Sequence, residues 1–538
     1  MSLADLSPTS HPPRHDSPLD SAVSKYADWR APKNDGETLF WPSPTLAMKH
    51  ARDAALIFNA ATAQIKDMPI ADFRRLAREF FGHRSAAPLI MTAHQCELHH
   101  PGVWSKNIAI DQLAKQLGGG ATAVHLAVDT DAAKHLKLRL GSDSLPITDD
   151  PQLSTAKWTG MLIAPTPAHL ARLEDAAQKW ADQQTFVPVV LDTLADMRSF
   201  ALDGHENAEL PSLLASSMHK LDWSLGLEYQ LTLLSPVLRS TAWLGFVHHL
   251  LADAACFSLA YNKALIDHRA ANHIDSSTRP MPDLAIVGNS IEMPFWLDSL
   301  HTGRRERLTV HETSGGAMLT SPTSGDSIEL LRETTLDDAA RQLAEFCRIN
   351  NVRIAPRALT LTCFMRLCVC DLFVHGIGGG RYDQVLDRIF VSYFQLPPPP
   401  FAVVTATLFH PDAPGRSRAC VPCVLMEGHR LWHDVLGDEK NVIRQQIEAA
   451  PRKSVARFSL FQDMHSRLEA AAANDPRLVA WEARLRRTKH KEELDAQYFD
   501  RELFYALQPR ERLEEMVRRL SIAASTTPFT SPVPTLIP

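Results

Sequence analysis

The stretch Ala87–Asp131, APLIMTAHQCELHHPGVWSKNIAIDQLAKQLGGGATAVHLAVDTD, carries the reading of the fold. A short apolar run from Leu89 to Thr92 leads into a polar loop. A helix is predicted from about Val103 to Leu117, then a glycine break and a second apolar run from Ala123 to Val128. Strand, loop, helix, glycine turn, strand is the pattern of a βαβ unit, whose crossover makes the two strands parallel. A parallel sheet needs helices over its faces, so an α/β core follows. Loops after the first and second strands then lie at the carboxyl ends, where open α/β sheets bind ligands. The pattern thus predicts His94–His100 and Asp129–Asp131 on one rim.

Outward from this unit, residues 46–81 read as two helices and residues 166–280 as mostly helical, with one long stretch from Trp243 to Arg269. The text changes at IEMPFWL, RERLTVHE and AMLTSPTSGDSIELL, short β-type runs with turn signals, which predict a small antiparallel insertion over 291–331. The expected organisation is a disordered tail over 1–40 and a first core part over 41–290, with a helical insertion from about 150. After the β insertion come a second core part over 332–428, a helical hairpin or coiled-coil-like domain over 429–524, and a tail over 525–538. In the helical domain Phe461, Met464 and Leu468, then Leu478, Trp481 and Leu485, then Leu513, Met516, Val517 and Leu520 recur at helical spacing. Such stripes suit a homodimerising arm or a helical layer on its own core.

At 538 residues, 45% hydrophobic and 22% charged with net charge −6, the chain gives no general pull toward nucleic acid or anionic membrane. No apolar run approaches the roughly 18–20 residues that span a bilayer. The first residues lack the apolar core of a secretory signal, so a cytoplasmic protein is expected. Eight cysteines in so long a chain make no disulfide scaffold. Cys420/Cys423 and Cys368/Cys370 are close pairs: zinc would need both to converge, and redox chemistry would need a CxxC at a helix N-terminus. They are read as structural thiols.

Common signatures are missing. There is no GxxxxGK[ST] loop and no GxSxG elbow. HETSG at His311 lacks the second histidine of a zinc-protease helix, with Gly315 in its place. The densest polar cluster is His94-Gln95-Cys96-Glu97-Leu98-His99-His100, whose spacing fits no standard zinc pattern, and no metal is expected. His94 suits acid–base work, and Gln95 and Asn107 suit recognition of a polar substrate. Asp129 and Asp131 suit orienting or deprotonating an amine, or capping the next element. In HGIGGGRYDQV, Gly376, Gly378, Gly379 and Gly380 precede a helix and stand beside Arg381, which suits an anion. The same text also fits a tight turn between two helices, with Gly376 ending the first. Arg357, Asp371, His375 and Tyr382 are expected around this loop.

The segment PLIMTAHQCELHHPGVWSKNIAIDQLAKQL resembles the N-terminal signature of the bacillithiol-synthesis cysteine-adding enzymes, which runs strand, T-G-Q-Q-x-G-L, a Gly-Pro loop and a helix ending in L-A-K. Thr92, Gln95, Leu98 and Leu113-Ala114-Lys115 match it. Asp129 and Asp131 fall near that family's acidic motif, and HGIGGGRYDQVLDRIFVSYFQLPPPPF is similar to its glycine-rich segment. The resemblance implies a Rossmann-like core, a dimerising coiled-coil domain, an ADP- or ATP-like nucleotide and the joining of cysteine to an amino-sugar malate conjugate. Departures fall at the ligand rim: Ala93, His94 and Glu97 replace the signature residues, Pro101-Gly102 reverses the Gly-Pro pair, Thr130 replaces a histidine, and Arg381-Tyr382-Asp383 stands where a glutamate is usual.

The reading is therefore a ligase or group-transfer enzyme of unassigned small polar substrate. His94, Asp129 and Asp131 would be catalytic, and Gln95, Asn107, Arg357, His375 and Tyr382 would contact substrate. Gly376, Gly378, Gly379, Gly380 and Arg381 would hold an anion or nucleotide. The alternative is a non-catalytic nucleotide- or metabolite-binding protein, or a scaffold using the helical arm.

Overall fold

The computed structural model describes residues 29–202, 208–322, 324–357, 359–413, 419–473 and 475–525. Most of the expected tails, 1–28 and 526–538, lies outside the described residues. The chain divides into two compact units, 1–408 with 502–538, and 409–501.

The first unit is mixed α/β. Its main sheet has six strands: β1 (Thr38–Trp41), β2 (Leu89–Gln95), β3 (Thr122–Val128), β4 (Gln230–Leu233), β5 (Leu372–His375) and β6 (Phe401–Ala406). Their spatial order is β1-β6-β5-β2-β3-β4. Strands β2 to β6 pair in parallel and β1 closes one edge antiparallel. β2 and β3 read as near-continuous apolar text because both faces are covered. Met91, Val124, Leu126, Phe373 and Val403 face one core, and Ile90, Ala123, Leu372, Val374 and Ala402 face the other, as the two-residue period of a strand requires. Residues 29–40 were expected in a disordered tail; instead Trp29 is buried and Thr38–Phe40 pairs with β6. The apolar triplet Leu39-Phe40-Trp41 gives that segment something to bury.

The crossover helix Pro101–Leu117 begins with proline in its first turn, where the lost N–H has no intrahelical partner, and His100 Nδ1 accepts from Gly102 N–H at 3.1 Å. It ends at Gly118, whose φ of 62° favours glycine. The expected long helix from Trp243 breaks at Asp253 into Thr241–Ala252 and Ala254–Ala271, bent by 87°. Trp243, Phe246, Phe257 and Leu265 bury this pair in the core. Among the described residues no single helix is long and apolar enough to cross a membrane.

A second, antiparallel sheet is ordered Ser327–Leu331, Gly316–Thr320, Arg305–Glu312, Ser290–Ser299 and Val352–Pro356. Its last strand comes from beyond the segment 291–331. The stripe Leu513, Met516 and Leu520, expected with the C-terminal helices, instead belongs to helix Arg510–Ser525 and packs into a core of the first unit. The second unit contains helices Val421–Asp434, Asp438–Ala449, Val455–Ala473 and Pro476–Ala496. Trp481 Nε1 donates to Val424 O at 2.6 Å, and its ring fills the space where a side chain on Gly428 would stand.

Candidate functional site

At the carboxyl end of β2, His94 Nε2 bonds Glu97 Oε1 at 2.9 Å. Glu97 is buried, and its other oxygen accepts the backbone N–H groups of Lys134 and His135 at 2.6 and 3.0 Å. Those donors fix the carboxylate, and the carboxylate fixes the imidazole with Nε2 protonated, leaving Nδ1 as the basic nitrogen. Burial, then the neighbouring Lys106, holds His94 well below the usual histidine range. Lys106 lies on the first turns of the crossover helix, buried, with Nζ donating to Ala93 O at 2.9 Å. Burial lowers its ammonium to about 7, with Glu97 opposing. A lysine that loses its proton near neutral pH and an imidazole held neutral thus stand at the end of one strand.

Behind them runs a buried polar chain on the same face of the sheet. His99 stacks edge-on to His94 at 5.2 Å and lies 5.5 Å from His125, and its Nδ1 has no hydrogen-bond partner. His125 Nδ1 meets Asn107 Oδ1 at 2.6 Å. Asn107 Nδ2, Tyr229 OH, Trp104 Nε1 and Tyr505 OH all donate to Asp222, at 3.2, 2.5, 2.7 and 2.9 Å. Burial nevertheless holds Asp222 above the usual carboxylate range. Gln95, Cys96, His99, Asn107, His125 and Tyr229 help to line a cavity of about 10 Å³, room for one water.

The expected site residues separate into groups. Gln95 Nε2 donates to Asp131 Oδ2 at 3.0 Å, so the loops after β2 and β3 do meet on the rim. Asp131 is exposed. Asp129 is buried and accepts Ser235 N–H at 2.9 Å, capping the short helix after β4. Cys96, pushed well up by burial and by Asp129, Glu97 and Glu209, is no ready nucleophile. Asn107, expected to read substrate, has both ends of its amide committed inside the buried chain.

His375 does not join His94. It follows Phe373 on the opposite face of the sheet, where Nε2 bonds Asp383 Oδ2 at 2.7 Å, and Asp383 pairs with Arg366 at 2.9 Å. The alternation of β5 therefore puts His375 on the face of the sheet away from His94. The glycine stretch also differs from a helix-to-helix turn. Gly376 follows β5 directly, has φ −80°, and is the N-cap of helix Ile377–Ser392, with no side-chain cap. β-type LFVH is long enough to pair with β2 and β6, which makes the junction strand-to-helix. Space above Gly376 and Gly378 is open, while a Cβ on Gly379 would meet His375 Nδ1 and one on Gly380 would meet Val403 and Trp29.

Arg381 donates to Trp29 O at 2.5 Å, and Tyr382 is exposed. Arg357, expected near this loop, bonds Glu292 at 2.5 Å and lies over Trp296 in the antiparallel sheet. Asp371 stands at the amino end of β5, where it binds Arg74, Arg78 and Leu89 N–H. Among the described residues no group of three or more histidine, cysteine or acidic side chains is arranged to hold a metal ion.

Sequence reading missed Lys106, His125, Asp222, Tyr229 and Tyr505. His125 interrupts an apolar strand, a signal that was visible; Asp222 and Tyr505 come from distant helical text with no local mark. No protein-family model matches the sequence, and no curated protein resembles it significantly.

Proposed function

We propose that this protein is a cytoplasmic ligase or group-transfer enzyme with a Rossmann-like core, acting on a small polar substrate at the carboxyl end of β2. The observation that carries the reading is the His94–Glu97 pair, an imidazole oriented by a buried carboxylate beside a lysine lowered to about 7. In such a pair His94, held neutral, can orient an attacking amine or thiol while Lys106, lowered to about 7, exchanges its proton near neutral pH. The parallel strand order supports the Rossmann-like assignment: numbered along the chain from β2, it runs 3-2-1-4-5. In that order β2 and β5 flank the topological switch point, where doubly wound sheets bind ligands. The open space above Gly376 and Gly378, at the start of helix Ile377–Ser392, suits a nucleotide phosphate, and the resemblance to the cysteine-adding enzymes suggests cysteine and an amino-sugar malate conjugate as substrates. Val455, Phe458 and Phe461, exposed on one C-terminal helix, support a homodimer through a coiled-coil-like arm.

The test is thermal unfolding with ATP, ADP, cysteine and glucosaminyl-malate added separately, followed by assay of whichever pair binds. A ligand at 100 times its Kd adds about 2.7 kcal/mol. His94→Gln is expected to keep the ligand-induced shift and to lower turnover by roughly 10²–10⁴. Equal turnover in wild type and variant removes the dyad from the reaction. A second reading, binding without turnover, is favoured by the small cavity and the mutual satisfaction of Asn107, His125 and Asp222; it predicts a thermal shift with no product.

A further inference from the structure

The second unit carries a pair of cysteines that the proposed reaction does not use. Cys420 and Cys423 are joined by a disulfide three residues apart, while Cys96, Cys256, Cys347, Cys363, Cys368 and Cys370 are free. Cys420 is the N-cap of the helix Val421–Asp434, and Pro422 lies in its first turn. Sequence reading took both close pairs as structural thiols. For Cys368 and Cys370 the observation agrees, since both are buried and free. Cys420 and Cys423 meet the redox condition instead, a CxxC at the start of a helix.

We infer that Cys420–Cys423 is an exchangeable thiol–disulfide couple. Both cysteines are exposed, so an outside thiolate can reach the bond. The bond closes a very short loop, so it restricts the unfolded chain little and makes a weak staple. The Cys423 N–H donates to Cys420 Sγ at 3.3 Å. After reduction that amide and the positive end of the helix favour a thiolate on Cys420, the form that attacks disulfides. The helix is held from its other side, where Val421 and Val424 are buried and Trp481 Nε1 bonds Val424 O, so opening the disulfide leaves its packing in place.

The exchange balances as two electrons. A thiolate RS⁻ attacks Cys420 Sγ, the Cys420–Cys423 bond breaks, and Cys423 leaves as a thiolate that takes a proton. A second RS⁻ attacks the outer sulfur of the mixed disulfide, releasing RSSR and the Cys420 thiolate. Two thiols are oxidised and one protein disulfide is reduced. Reduced protein and RSSR run the same steps backward.

The experiment uses the folded full-length chain, treated with reduced glutathione in one arm and a thioredoxin-type protein dithiol in another. Thiols are then trapped by alkylation and the peptide bearing Cys420 and Cys423 is weighed. Both sulfurs are expected to label after reduction and to lose label after oxidised glutathione. Opening by glutathione assigns a low-molecular-weight thiol, and opening by the protein dithiol alone assigns a protein partner. Cys423→Ser is expected to retain one glutathione on Cys420, and Cys420→Ser to be glutathionylated about ten-fold more slowly. A disulfide that neither reductant opens before unfolding overturns the couple, and equal rates in the two variants overturn the assignment of Cys420 as the attacking sulfur.

Discussion

Asp222 is a buried carboxylate whose two oxygens accept four neutral donors, Trp104 and Tyr505 on Oδ1, Asn107 and Tyr229 on Oδ2. Four inward donors leave no acceptor for a carboxyl proton, so the arrangement matches the ionised form although burial opposes it. Asp222→Asn turns one oxygen into a donor and faces it with N–H or O–H groups already aimed at that point. Each buried polar group left unpaired costs about 1–3 kcal/mol, so a loss of about 3 kcal/mol or more is expected in urea unfolding. A change under 1 kcal/mol would mean the four donors find other partners. Lys106 gives a second test. The unfolded chain holds its proton up to a pH of about 10.4, whereas the folded protein releases it at about 7. Between those values the unfolded state binds the extra proton, so the Lys106 contribution to stability improves as pH rises from about 7 toward 10.4 and is flat outside that window. Lys106→Met should remove this part of the alkaline slope in chemical denaturation followed from pH 7 to 10.

The helix Ile377–Ser392 shows why a run of glycines need not have one purpose. Gly380 sits where a Cβ would stand 2.5 Å from Val403 Cγ2 and 2.9 Å from the Trp29 ring, a contact between helix, edge segment and β6. Gly378 meets nothing within 4 Å. Gly380→Ala is therefore expected to destabilise by about 1–3 kcal/mol through overpacking, and Gly378→Ala to stabilise by up to about 1 kcal/mol through helix propensity. Differential scanning calorimetry of the two variants checks the opposed signs. If Gly378→Ala also abolishes a nucleotide-induced thermal shift, close approach of a phosphate to that backbone is supported. The same text, HGIGGGRYD, could not reveal this division. A strand of only four residues, Leu372–His375, precedes it, and its apolar letters fit the end of a helix equally well. What placed His375 on the far face from His94 was strand alternation combined with register, Val374 opposite Thr92, and register is a property of two strands 280 residues apart.

Across the whole molecule, local pattern and distant assembly were unequally legible. The βαβ unit was readable because Leu89–Asp131 contains both strands, the crossover and its glycine stop within one continuous segment. The rim contact between Gln95 and Asp131 followed from it. The polar core was not readable, because it gathers Trp104 and Asn107 from the crossover helix, Asp222 and Tyr229 from the segment before β4, and Tyr505 from beyond the second unit's 409–501. That gathering gives the first unit a distinctive response to acid. His99 and His125 are buried, and burial first, then the neighbouring imidazole, holds both well below the ordinary value near 6.5. Below that pH the unfolded chain binds protons that the folded unit refuses, so stability falls as pH falls. Each such proton corresponds to about 1.4 kcal/mol per pH unit until the folded sites themselves titrate. Urea unfolding at pH 7, 6 and 5 should show the transition of the first unit moving steeply to lower urea. His125→Asn should make that slope shallower by about 1.4 kcal/mol per pH unit. A first-unit transition that keeps its midpoint from pH 7 to 5 would mean that these imidazoles take up protons while still folded, and the buried chain from His94 to Asp222 would then have to open to water without unfolding.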